Sequence, residues 1–189
     1  MANLVRRLSA EDAAAFRAIR LESLRTDPSA FGADLEEEAG QPLRFFAERL
    51  ASGRLSGAFE DGELAAIMGL QVPEGRKLRH KGLLWGVYSR SAWRGRGLAG
   101  RVLDFVIAEA REAGLEWINL VVSVKTPKAR KLYESRGFVV YGREPAGLKV
   151  DGVDADDELM TLKLSDRGSR SEAQGSRSRD RQGSTGAAG

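Results

Sequence analysis

The sequence predicts one α/β domain built on a mixed, mostly antiparallel sheet flanked by helices. Three observations carry that expectation. Strand-like runs follow one another between residues 55 and 89, joined by the hairpin signal Asp61-Gly62 and by a polar turn. A further apolar run, Trp117 to Val122, is separated from the strand at 82–89 by a single amphipathic helix, and such a crossover lays strands 82–89 and 116–122 parallel. Between strand and helix lies Trp93-Arg94-Gly95-Arg96-Gly97-Leu98-Ala99-Gly100, a glycine-rich turn that opens directly onto the helix.

Taken in order, Val5-Arg6-Arg7-Leu8 reads as a short first strand. Ser9-x-x-Asp12 is a capping box with Asp in place of Glu, opening a helix through Phe16, Ile19 and Leu24 that Asp27-Pro28 ends. An acidic loop with Asp34, Glu36, Glu37 and Glu38 follows, and Pro42 starts a helix with Leu43, Phe46 and Leu50 on one face, stopped by Gly53. The hairpin then runs from Leu55 to Glu60 and from Glu63 to Val72. The central helix carries Leu98, Ala99, Val102, Leu103, Val106, Ile107, Ala110 and Ala113 at helical spacing, and Gly114 stops it. Trp117 to Val122 is almost wholly apolar, as suits a strand covered on both faces. Thr126-Pro127 places an N-cap and an N1 proline before a helix whose face holds Ala129, Leu132, Tyr133 and Arg136, ended by Gly137. Phe138 to Tyr141 and Leu159 to Leu164 read as the final strand pair, with 142–158 as a long excursion between them.

The 189 residues divide into a domain at 1–164 and a tail at 165–189. The tail is Ser, Gly, Arg, Ala and Gln with almost nothing apolar, a composition expected to be disordered. Net charge is +3, most of it in the tail, where five arginines (167, 170, 177, 179, 181) meet only Asp166, Glu172 and Asp180. The nearly neutral body gives no electrostatic reason to expect nucleic acid, and the tail is expected to be simply solvated. There is no cysteine, which excludes disulfides, thiolate metal sites and a cysteine nucleophile; no metal site is expected. His80, the one histidine, lies in a polar run and makes a poor triad member. No signal peptide or apolar span is legible, so the expected location is cytoplasmic, with no membrane partner.

The glycine turn is an anion site in waiting. Glycines let a ligand approach the backbone, the first N–H groups of a helix point outward, and Arg94 and Arg96 add charge. Gly95-x-Gly97-x-x-Gly100 has the dinucleotide-binding spacing, but a Rossmann unit wants that loop after its first strand and an acid ending the next one. Here the loop is mid-chain, and Glu116 begins the next strand instead of ending it. A kinase loop lacks its HRD and DFG partners.

Arg94-x-x-Gly97-x-Ala99 and Ala129-x-x-Leu132-Tyr133-Glu134-x-x-Gly137-Phe138 resemble the two signature segments of the GNAT family of N-acetyltransferases. The resemblance spans about residues 3–164. It implies that strands 82–89 and 116–122 splay at one end, and that acetyl-CoA is the co-substrate, with its pyrophosphate held by Arg94, Gly95, Arg96, Gly97, Leu98, Ala99 and Gly100. It further implies backbone contacts from Val87, Tyr88 and Ser89 to the pantetheine arm and acetyl group, and a role for Tyr133 as the acid that protonates the leaving thiolate. A phenol with a pKa near 10 is protonated at neutral pH and suits that role; packing is its plainer role.

Two departures from the family pattern stand out. The usual asparagine of the second segment is Thr126 here, which still caps the helix but puts an amide contact to the arm in doubt. Leu83 to Tyr88 also contains no carboxylate to serve as general base. The implied function is direct acetyl transfer to a primary amine of a small molecule or peptide; the rival is an acyl-CoA-binding sensor without turnover. The acceptor groove implied by the family lies between about 25–42 and 142–158, both acid-bearing, the latter with Asp151, Asp154, Asp156 and Asp157. Such walls would favour a cationic amine. A homodimer is left open.

Overall fold

The structure is a computed structural model that describes residues 4–164; the expected tail at 165–189 lies outside the described residues. One seven-stranded sheet runs in the order β1-β2-β3-β4-β5-β7-β6. Its strands are β1 (Leu4–Arg7), β2 (Arg54–Glu60), β3 (Glu63–Gln71), β4 (Lys81–Ser89), β5 (Trp117–Ser123), β6 (Val139–Val150) and β7 (Val153–Lys163). The helices are α1 (Ala13–Thr26), α2 (Leu35–Ala39), α3 (Leu43–Ser52), α4 (Leu98–Glu112) and α5 (Pro127–Glu134). Only β4 and β5 pair in parallel; every other neighbouring pair is antiparallel. No helix among the described residues is long and apolar enough to cross a membrane.

The sheet separates two cores. On one face α4 buries Leu98, Val102, Leu103, Val106, Ile107 and Ala110 against Ile118, Leu120, Val122, Met160 and Leu162. On the other, α1 and α3 bury Phe16, Ile19, Phe46 and Leu50 with Leu55, Ile67 and Tyr88. The Asp61-Gly62 turn has positive φ at both residues (50° and 86°), the backbone of the expected I′ hairpin. The N-terminal box is also present: the Ser9 N–H donates to Asp12 Oδ2 at 2.8 Å, and Asp12 takes a second load from Arg6 at 2.7 Å.

β4 is not a regular strand. It pairs with β3 through Gly69↔Trp85 and Ile67↔Tyr88, so three residue steps on β4 answer two on β3. That is a bulge, and Gly86 supplies its positive φ of 63°. The Trp85 indole lies over the bare Cα of Gly69, which admits the ring where any side chain would collide. Pairing between β4 and β5 runs only from Lys81↔Trp117 to Leu84↔Leu120. The bulge bends β4 away just after that last pair, so the two strands part as the resemblance implied.

The expected excursion at 142–158 is corrected. These residues are strand, and β6 and β7 form one long hairpin turned by Asp151 and Gly152, both at positive φ (51° and 76°). The turn signal was there, but β6 is an edge strand exposed along most of its length and so lacks an apolar alternation.

Candidate active site

The glycine turn lies at the mouth of the parted strands. Gly95 and Gly97 take positive φ (83° and 74°), and Gly97 stands as N-cap of α4. The first bond of the helix is Arg101 N–H to Gly97 C=O at 3.1 Å, so the N–H groups of Leu98, Ala99 and Gly100 precede the intrahelical ladder. No acid occupies that first turn. These donors, with the helix dipole behind them, have the chemistry that an anion such as phosphate needs.

The neighbouring cations serve the loop first. Arg94 Nε donates to the Ser89 carbonyl at 3.0 Å and its Nη2 reaches Asp27 at 2.6 Å, tying the loop to the end of β4 and to the linker after α1. Arg96 meets Glu60 at 3.3 Å. Both guanidiniums beside the donors therefore carry carboxylate partners within the fold. The Ser89 carbonyl likewise accepts from Arg94, Tyr88 is paired with Ile67 of β3, and Val87 has no partner on β3. Gly100 differs from its two fellow glycines. A Cβ there would come within 2.5 Å of Arg136 Nη2, so the bare Cα makes room for a guanidinium that bonds Asp104.

Because nothing lies near the open side of Gly97, the effect of Gly97→Ala separates backbone strain from anion binding. The left-handed conformation costs an alanine about 1–2 kcal/mol, and the new methyl enters open space at the start of α4. Acetyl-CoA KM is expected to rise by about tenfold. Gly114→Ala, at a φ of 73° just past the far end of α4, should lose similar stability and leave that KM unchanged.

Tyr133 is buried on α5, packed against Phe138 at 5.8 Å between ring centroids, in the cluster that Val87 and Trp93 also touch. Burial pushes its phenol above the ordinary value of 10. The phenol therefore stays protonated at neutral pH. Thr126 is the N-cap residue of α5, as expected, but its hydroxyl makes no cap bond: it donates to the Ser123 carbonyl at 2.8 Å and steadies the end of β5.

On the opposite face Tyr88 Oη bonds Glu22 and Thr26 of α1, each at 3.0 Å. Burial raises this phenol too, Thr26 opposing the rise and Glu22 adding to it. Several acids of the two expected groove walls hold partners within the fold. Asp34 caps α2, accepting from the N–H groups of Glu36 and Glu37, and Glu38 is buried between Arg20 and Arg49. Asp154 pairs with Lys149 and Asp156 with Arg143. Asp157 alone of the buried acids in these walls has a carboxylate oxygen without a partner among the described residues.

Two functional features escaped the sequence reading. The Gly86 bulge had a signal, an isolated glycine inside an apolar strand. α2 had one too, since Asp34 followed by three glutamates is an N-cap before an acidic first turn. Among the described residues no group of His, Cys, Asp and Glu is placed to hold a metal.

A family model described as the acetyltransferase (GNAT) family matches residues 16–138. No curated protein matches the chain. Among solved structures, a GNAT acetyltransferase from Streptococcus pneumoniae is 25% identical with a TM-score of 0.74, covering 87% of this chain and 100% of its own. A ribosomal-protein-alanine N-acetyltransferase from Brucella melitensis is 22% identical, TM-score 0.71, covering 85% and 99%. A phosphinothricin acetyltransferase from Sinorhizobium meliloti, in complex with acetyl-CoA, is 20% identical, TM-score 0.73, covering 87% and 89%. The latter two share the fold and carry different acceptors in their names, so fold does not specify the amine. With the family model spanning most of the chain, and the glycine turn and parted strands in place, the protein belongs to the GNAT acetyltransferase family.

Proposed function

We propose that this enzyme moves the acetyl group of acetyl-CoA directly to a primary amine of a small molecule or peptide. The observation that carries the reading is the gap between β4 and β5, open beyond Leu84 and Leu120 and flanked by the α4 N-terminus. The diphosphate of acetyl-CoA fits the N–H groups of Leu98, Ala99 and Gly100. Its pantetheine amides fit the backbone of β4 at Val87 to Ser89, where β5 no longer pairs with it, as an added strand would. The thioester then lies inside the gap, where a β4 N–H can stabilise the oxyanion as nitrogen attacks. Tyr133 supplies the proton that the departing sulfur needs.

The test is thiol release from acetyl-CoA by the full chain with pools of primary amines. Amine-dependent release supports transfer. Tight acetyl-CoA binding with no release from any pool would instead favour the sensor without turnover.

A further inference from the structure

The catalytic strand lacks a carboxylate, yet one buried acid elsewhere is left without a partner. Asp157 is 5% exposed, and its Oδ1 meets no donor among the described residues. Its place follows from the register. Directly opposed residues of β5 and β7 share a face: Lys163 sits over the Trp117 ring at 5.5 Å, and the Thr161 hydroxyl donates to Asn119 Oδ1 at 2.7 Å. The pair Ser123↔Asp157 ends that row. The alternate row faces the other way, with Met160 and Leu162 in the α4 core and Glu158 bonded to Arg130 of α5.

Asp157 therefore opens on the face away from the phosphate loop, beside the stretch of β5 that β4 has left. An acyl arm entering from the α4 side and lying in the gap presents its thioester toward this face. The rest of the enclosure is built around it. β6 bulges between Glu144 and Leu148, with Ala146 at φ 51°, and Asp156 fastens the bulge by accepting the Ala146 N–H at 2.9 Å and Arg143 at 2.8 Å. The bulge brings Gly147 over Asp157 so closely that a Cβ would lie 2.7 Å from Oδ2. The linker after α1, at Pro28–Ala30, packs on both β5 and β6. A buried carboxylate aimed into such an enclosure with no cation beside it is costly unless a ligand brings one.

We propose that Asp157 is the acceptor-side carboxylate of this enzyme, seating the ammonium of a cationic primary amine beside the thioester and taking its proton. This rests on the acetyl-transfer function above. The ammonium gives one proton to the Asp157 carboxylate, and the freed lone pair forms the C–N bond. The C–S bond breaks, its electron pair leaves on sulfur, and the thiolate takes the Tyr133 proton. The nitrogen's surplus proton returns through solvent to the Tyr133 phenolate, and Asp157 releases its own to solvent. Burial, followed by the Glu144 and Asp156 charges, raises the Asp157 carboxyl above its ordinary range, which strengthens it as a proton acceptor.

The full chain, loaded with CoA, is titrated calorimetrically with benzylamine, an ammonium at neutral pH, and with aniline, which is neutral there. Kinetics with acetyl-CoA follow for each amine the wild type accepts. Asp157→Asn is expected to weaken benzylamine binding at least tenfold, to raise the KM of cationic acceptors similarly, and to leave acetyl-CoA KM within twofold. Glu74→Gln, at an exposed acid in the turn before β4, should change none of these. Weakened benzylamine binding in Asp157→Asn supports the assignment even where no thiol is released, an outcome that would overturn only the transfer reading. Equal benzylamine affinity in the two proteins, or an aniline preference that survives the substitution, overturns it. Gly147→Ala, whose methyl crowds Oδ2, is the second variant and decides the matter in the same way should Asp157→Asn fail to fold.

Discussion

Tyr133→Phe lowers kcat by about 10²–10³-fold and leaves acetyl-CoA KM within about twofold, the signature of a lost general acid. The ring stays in place, because it is held by apolar contact with Phe138 and the α4 core, not by its hydroxyl. Folding should therefore be untouched, and any melting shift small. The direction of the phenol's pKa adds a second readout. Since burial raises it above 10, Tyr133 remains the protonated donor throughout the range below pH 10, and the wild-type kcat profile shows no descending limb from this group there. Thiol release at saturating amine measures the first effect and calorimetric titration with acetyl-CoA the second. A kcat within threefold of wild type would return Tyr133 to a packing role.

That prediction joins parts of the chain with little sequence in common. The proposed acid lies on α5, the proposed oxyanion donor on the bent end of β4, and the proposed phosphate seat at the start of α4. One irregularity lets them meet. Gly86 adds a residue to β4, the strand turns from β5, and a gap opens that backbone from both sides can line. The bulge is thus a part of the site as much as of the fold.

Much of this was legible in the residues because local chemistry and global fold agree. Asp61-Gly62 dictates its turn, Gly114 its helix end, and the crossover through α4 its parallel pair. The failures share a physical cause as well. Residues 142–158 look like a loop because β6 is solvated at the sheet edge and the outer half of β7 is acidic, so burial imposes no alternation. Asp151-Gly152 carried the same signal as Asp61-Gly62, and only the flanking pattern was missing. Arg94 and Arg96 were placed correctly along the chain. Their direction was not legible, since it is set by Asp27 and Glu60, which are remote in sequence. Glu38 was counted as groove charge for the same reason, since nothing local announces that its partners lie on two other helices.

Glu38→Ala is expected to cost about 3–5 kcal/mol, the largest loss any single polar substitution here should cause. Its carboxylate takes Arg20 Nε and Nη2, each at 2.9 Å, and Arg49 Nη1 at 2.9 Å, so one side chain of α2 fastens both α1 and α3. Burial pushes the Glu38 carboxyl up, but the two guanidiniums outweigh it and hold it below the ordinary range. Without that carboxylate, Arg20 is stranded, because its side chain is only 4% exposed and cannot rehydrate. Arg49 is 29% exposed and stacks on Phe45 and Trp85, so it can swing to water. Most of the cost is therefore the orphaned Arg20 charge, and it should largely disappear in Arg20→Met/Glu38→Leu, where both buried charges go together. Thermal melts of the three proteins decide it: at roughly 2–4 °C per kcal/mol, Glu38→Ala should melt about 10 °C low and the double variant within a few degrees of wild type. A single variant that melted as wild type would mean that water reaches Arg20. α2 would then be loosely docked on α1 and α3, and not the fixed element that three bonds to one carboxylate make it.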